Sequence, residues 1–258
     1  MKYKGNHRVF HSVAIVLFVF SCFIFTPALS GAGEPLSFAL FARGWTPFEM
    51  MDEGEPYGLA VDLFYEVLPD DLEKKVVPMT GPRKSLHAMT KPMFTRLEAQ
   101  KWMPKSYGYW WSEPVISLTN VLYSSVVKPR KFTDQSSLSG LTIGCIRNYF
   151  YPVAQPLFDN GKAVRYDVNS DVVLLRMVKA GRVDAAIFDA ISAKWLIKNT
   201  PDLNSDDFYV AATPVDSVDL RFVFNLVPEW EKRLPEINER IRQKREDGTI
   251  DKLESKYR

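Results

Sequence analysis

Ser170-Asp-Val-Val-Leu-Leu-Arg-Met-Val-Lys-Ala-Gly-Arg-Val-Asp-Ala-Ala-Ile-Phe-Asp189 is the stretch that decides the fold class. Ser170 is suited to a helix N-cap, and Val173, Leu174, Met177 and Val178 recur at the spacing of one helical face. Ala180-Gly181-Arg182 ends that helix, and Val183 to Phe188 then reads as a strand. Asp189 stands where a further helix, to Asn199, should begin. Upstream lie a strand over Leu141 to Ile146, a helix over Tyr149 to Asn160 closed by Gly161, and a strand over Ala163 to Val168. Helices and strands taking turns along the chain argue for parallel sheets in an α/β architecture.

The same alternation extends to both ends. Leu36 to Phe41 is a buried strand, followed by the turn-rich Arg43-Gly-Trp-Thr-Pro-Phe48 and an acidic hairpin-like loop at Asp52 to Pro56. Gly58 to Leu68 is helical, Lys74 to Met79 is a strand, and Pro82 opens another helix. Thr90 to Trp111 is irregular and rich in aromatic residues, and Val115 to Val127 is one long strand. Beyond Asn199 come strands at Tyr209 to Thr213 and Leu220 to Leu226. A C-terminal helix starts at Pro228, breaks at Asp247-Gly248 and restarts at Thr249. Connections near Lys128 to Thr133 and Pro214 to Asp219 bracket a central segment, and the tail rejoins the first unit. The expected architecture is two lobes, 34–128 with 220–258 and 129–219, joined by two hinge crossings. Ligands in such open sheets lie beyond the carboxyl ends of the strands.

The N-terminus reads as an address. Lys2, Lys4 and Arg8 precede an apolar run from Ser12 to Phe25 and a small-residue close at Ser30, the pattern of a cleaved signal peptide over 1–30. The run is short for a membrane span, which needs about 20 residues. Taking those three bases from the 33 in the chain leaves 30 against 31 acids, a formal charge of −1. The apparent basicity belongs to the leader, and no clustered basic face suggests nucleic acid. The basic residues between Lys232 and Arg245 are interleaved with glutamates, as on a solvated helix face.

After Ser30 the chain keeps one cysteine, Cys145, and one histidine, His87. A His/Cys zinc site cannot be assembled from one of each, and one thiol makes no internal disulfide. No nucleophile elbow accompanies His87, and no glycine pattern for a nucleotide is present. No cofactor or metal is therefore expected, which leaves binding, or an enzyme built on carboxylates.

Several stretches then resemble the family 3 extracellular solute-binding proteins, the periplasmic receptors of polar amino acid ABC transporters. They are Gly44-Trp-Thr-Pro-Phe48 with Tyr57-Gly-Leu-Ala-Val-Asp-Leu63, Ser112-Glu-Pro-Val115, Leu138-Ser-Gly-Leu-Thr-Ile-Gly144, Leu174 to Asp189 with its Gly181-Arg-Val-Asp184, and Glu246 to Tyr257. They run in the family's order over essentially the whole chain after the leader. The resemblance implies a type II-like two-lobed periplasmic fold, each lobe a mainly parallel sheet flanked by helices. It implies capture of a small amino-acid-like or carboxylate solute by hinge closure, with no chemistry. It further implies a periplasmic monomer that docks on the membrane permease of an ABC transporter.

The resemblance also nominates a site. Trp45 and Phe48 would present aromatic faces, although Phe48 would serve lobe packing equally well. Asp189 aligns with the acid that pairs with a ligand ammonium, and the same carboxylate can cap a helix. Asn148 and Tyr149 would offer free N–H groups at a helix start. They replace, with Arg147, the family's small Gly-Ser or Gly-Thr step. The family's Thr-x-x-Arg clamp before Ser112 is not recognisable. Arg83 and Arg96 are rival carboxylate binders, and Trp111 belongs to the aromatic gap between them and Ser112. Asp184 reads as structural. An aromatic or less polar ligand becomes plausible on these departures. Two other readings stay open: a sensory or accessory binding module, and a dehydratase or lyase with Asp189 or Glu66 as general acid/base.

Overall fold

The computed structural model describes Met1 and residues 34–41, 44–80, 87–103 and 108–258. Residues 2–30 of the expected leader and Arg83 lie outside the described residues. Twelve strands and six helices are used below, numbered in chain order among the described residues.

β1 (Leu36–Phe41) is buried at nearly every position, as its unbroken apolar run requires of a central parallel strand. It pairs in parallel with β4 (Lys74–Met79) on one side and β5 (Phe94–Glu98) on the other. The acidic loop is a short hairpin, β2 (Met50–Asp52) against β3 (Glu55–Tyr57). α1 (Leu59–Val67) buries Leu59, Leu63, Phe64 and Val67 against this sheet. α5 (Pro228–Glu246) and α6 (Thr249–Lys256) return the tail to the same side. There Trp230 is fully buried, stacks on Phe224 at 4.6 Å and donates its indole N–H to the Pro92 carbonyl at 2.7 Å. One core thus holds residues from both ends of the chain.

The other half is built around β8 (Thr142–Ile146), which pairs in parallel with β9 (Val164–Val168) and β10 (Ala185–Asp189). α3 (Asp171–Lys179) puts Leu174, Leu175 and Val178 against one face of this sheet. Leu122, Ile143 and Cys145 face a separate core on the other side. Cys145 is a buried free thiol, pushed up to about 12 by that burial. α4 (Ala190–Asn199) follows β10 directly.

Two long antiparallel strands join the halves. β7 (Ile116–Ser125) and β12 (Asp216–Asn225) pair with each other over Ile116–Asn120 and Asp216–Leu220. Past that shared segment β7 pairs with β10 and β11 (Phe208–Val210), while β12 pairs with β5 and β6 (Tyr109–Trp111). The result is one ten-stranded mixed sheet in the order β4-β1-β5-β12-β7-β10-β8-β9.

Three local readings are corrected by the structure. The helix expected over Tyr149 to Asn160 is α2 (Gln155–Asp159) alone. Pro152 disfavours helix at the residue before it, and Pro156 fixes the first turn instead. Asp216 to Asp219, read within a connection, is the first half of β12, with Val218 buried and its polar neighbours turned outward. β5, inside the segment read as irregular, is a central strand. Ser170 and Thr249 mark helix starts as expected, but the Ser170 side chain makes no capping bond, and Asp247 accepts from the Thr249 N–H at 2.8 Å.

Candidate ligand-binding cleft

The cleft is a cavity of about 350 Å³ where the two halves face each other. Phe41, Ile146 and Asp189, the last residues of β1, β8 and β10, all line it, so it sits beyond the carboxyl ends of parallel strands.

Trp45 comes from the loop after β1, and the rigidity of that loop has a visible cause. The first N–H groups of α1, at Leu59 and Ala60, donate to the carbonyls of Pro47 and Phe48 at 2.9 Å each. Gly58 lies between them with φ 126, and a Cβ there would stand 2.5 Å from the Phe48 carbonyl oxygen. Phe48 is fully buried behind Trp45, stacked on it at 4.3 Å, and is not among the lining residues. Trp102 meets the Trp45 ring edge-on at 6.0 Å from a short 3-10 turn.

Arg96 and Glu98 alternate on one face of β5 and enter the cleft together. The Arg96 Nε lies 3.1 Å from Glu98, and its Nη2 lies 3.7 Å from the fully buried Glu49. Glu49 in turn accepts from the Phe41 N–H. Burial pushes the Glu49 carboxyl up, and Arg96 opposes that shift. For Arg96, burial works against the charge, but the two carboxylates outweigh it and hold the guanidinium protonated. Lys101 stands 3.7 Å from Asp216, whose other oxygen accepts from the Asn120 amide at 2.5 Å.

The facing wall is acidic and aromatic. Asp189 caps α4, accepting from the Ser192 N–H at 2.8 Å. Burial raises its carboxyl to about 6 despite that bond, and Asp171, the first residue of α3, adds to the rise. Burial also raises Asp171. Asn148 adopts φ 68 in a turn closed by the Tyr149 N–H donating to Ile146 at 3.0 Å. Arg165 braces the turn by donating to the Tyr149 and Ile146 carbonyls at 3.0 and 3.3 Å. Tyr149 is left 47% exposed. Burial raises its phenol to about 12, and Asp171, Asp189, Glu49 and Glu98 all push the same way, so the hydroxyl sits in the field of carboxylates from both walls.

Of the residues nominated from sequence, Trp45, Arg96, Asn148, Tyr149 and Asp189 line this cavity together. Phe48 and Trp111 do not. Trp111 lies on β6 opposite Val223 and packs with Tyr109 against a small buried cluster. Asp184 accepts from the Thr142 N–H at 2.9 Å and from Arg130 at 2.6 Å, a structural role. The sequence reading passed over Phe41, Glu98, Lys101, Trp102, Asn120, Asp171 and Asp216. Glu98 was signalled by its spacing of two from Arg96 on a strand, and Asp171 by its place just after a cap. Among the described residues no group of three or more His, Cys, Asp or Glu is placed to hold a metal ion. No described helix is long and apolar enough to cross a membrane.

No protein-family model matches the chain, and no curated protein matches it in sequence. Its fold, in contrast, matches many solved structures. The GluR0 ligand-binding core in complex with L-glutamate superposes with a TM-score of 0.67 at 14% identity, covering 88% of this chain and 99% of that one. The amino acid ABC transporter substrate-binding protein AbpA of Streptococcus pneumoniae, bound to L-arginine, gives 0.63 at 16% identity, with 86% and 94% covered. An ancestral amino-acid-binding protein, described as a precursor of cyclohexadienyl dehydratase, gives 0.62 at 18% identity, with 86% and 94% covered. Taken with the sheet order and the cleft, these likenesses give the chain the two-lobed α/β fold of the periplasmic amino-acid-binding proteins.

Proposed function

We propose that this chain is an exported solute receptor rather than an enzyme. In this reading 1–30 is a cleaved signal peptide, and 34–128 with 220–258 and 129–219 are lobes that close on a small ammonium-bearing solute of amino-acid size. The closed form would present that solute to the permease of an ABC-type transporter in the periplasmic space. The carrying observation is the cavity itself, which brings two desolvated carboxylates, Asp171 and Asp189, into one lining with the indoles of Trp45 and Trp102. A buried carboxylate and an aromatic face are the two groups that hold an ammonium best. A volume near 350 Å³ lies at the small end of the range for small-molecule pockets.

Closure follows if one ligand touches both walls, because only the closed state then gains both sets of contacts. A ligand present at 100 times its Kd should stabilise the protein by about 2.7 kcal/mol, which is roughly 5–10 °C in Tm for a chain of this size. The test is thermal denaturation against a panel of amino acids, amines and small carboxylates. A panel that moved Tm nowhere would sink the proposal.

A further inference from the structure

Resting on that reading of the cleft, we infer that its ligand is an organic cation without a carboxylate, an amine and not the amino acid from which such an amine derives. Three independent features carry this.

First, the cations that line the cavity among the described residues are already engaged by acids. Arg96 has Glu98 at 3.1 Å on one nitrogen and Glu49 at 3.7 Å on another, and Lys101 has Asp216 at 3.7 Å. A ligand carboxylate would have to displace Glu98 from Arg96 while lying close to Glu49, which cannot leave. Glu49 is fully buried and fixed by the Phe41 N–H. Like charges so placed repel strongly in a desolvated site.

Second, the helix N-terminus expected after β8 as a backbone anion site is not formed at Asn148 and Tyr149. The Tyr149 N–H is spent on Ile146 and the Arg147 N–H on Val168, and helix begins only at Gln155. Two of the N–H groups of this turn are thus withdrawn from an anion, and beside them the turn presents the ring of Tyr149 to the cavity.

Third, the opposite charge is wanted. Asp171 and Asp189 line the cavity with no lysine or arginine in ion-pair contact among the described residues, and both resist ionisation there. A cation seated between them and the rings of Trp45 and Tyr149 relieves that desolvation. Among the described residues that line the cavity, a second charge of negative sign on the ligand meets only cations already paired with acids.

The experiment is isothermal titration of the full chain at pH 7.5 with matched pairs that differ only by a carboxylate: agmatine with arginine, cadaverine with lysine, tyramine with tyrosine, histamine with histidine. At least one amine is expected to bind tenfold or more tightly than its parent amino acid. An amino acid that binds as tightly as its amine, or more so, overturns this inference and leaves the solute-receptor reading standing. No binding by either member of any pair overturns both. Asp189→Asn keeps an oxygen for the Ser192 N–H, so the fold is retained while amine affinity falls at least tenfold. Glu98→Gln removes one of the two acids that hold Arg96 and should narrow the amine-to-amino-acid ratio at least threefold. An unchanged ratio in a variant of unchanged Tm overturns the role given to the Arg96 ion pair. Should that variant fail to fold, the wild-type pairs decide the matter.

Discussion

Asp189 does two jobs with one carboxylate. It caps α4 through Ser192 and faces the cavity, where burial raises it to about 6. A ligand cation stabilises the charged form, so affinity should be constant near neutrality and fall as pH drops through 6. The loss between pH 7 and pH 5 is about tenfold for a group whose pKa the ligand lowers fully. Titration near pH 6 in buffers of different ionisation enthalpy should show protons released on binding. An affinity flat from pH 7 to pH 5 would remove Asp189 from the contact. Stability without ligand runs the other way. A carboxyl raised above its unfolded value contributes stability that is full below about 4 and is lost as pH rises through about 6. Asp171 is shifted in the same direction by burial. Trp45 and Asp189 were legible through the family resemblance, which places ligand contacts at or just after the ends of these strands. That Phe48 would turn inward while Trp45 turned outward was not legible, since the rotation of the loop is set by α1. Nor was the capture of Arg96 by Glu49, a partner 47 positions away in the chain.

At the scale of elements, the loop after β1 and α1 form one unit. The N-terminal N–H groups of the helix find their acceptors in that loop, and Gly58 permits the approach. Gly58→Ala would force a Cβ onto two carbonyl oxygens at a positive φ. We expect a loss of about 2 kcal/mol, or roughly 4–8 °C in Tm, with ligand affinity reduced as Trp45 shifts. Unchanged denaturation would mean that the loop is not held this way. Periodicity revealed α1 and α3 because each carries a continuous apolar face, whereas α4 was expected from the cap position of Asp189. It failed for β5, where Phe-Thr-Arg-Leu-Glu carries charge on its cleft-facing side, and for the start of β12, where Asp216, Ser217 and Asp219 mimic a turn. In both cases polar residues that serve the cleft or the crossing interrupt the pattern that marks a strand. Around Tyr149 the prolines decided the matter against an otherwise plausible helix.

For the whole molecule, β7 and β12 matter most. Each belongs to the core of one half along part of its length and to the crossing along the rest. In the proposed closure, their shared hydrogen-bonded segment is the place where the two halves would turn on each other. Small-angle scattering should therefore show a smaller radius of gyration with saturating ligand than without, and tryptophan emission from Trp45 and Trp102 should change over the same concentrations. Binding with no change in scattering would argue for a rigid, preformed site.

The buried thiol of Cys145 gives the proposed closure a practical handle. Its high pKa and lack of exposure keep it from forming the thiolate that attacks maleimides. Residues 34–258 contain no other cysteine, so they are a chemically silent background for labelling. A cysteine introduced at Phe150, 62% exposed on the rim of the cavity, would be the one reactive position in that span. An environment-sensitive dye attached there would turn the protein into its own optical sensor, able to report its ligand in crude mixtures before that ligand has been identified.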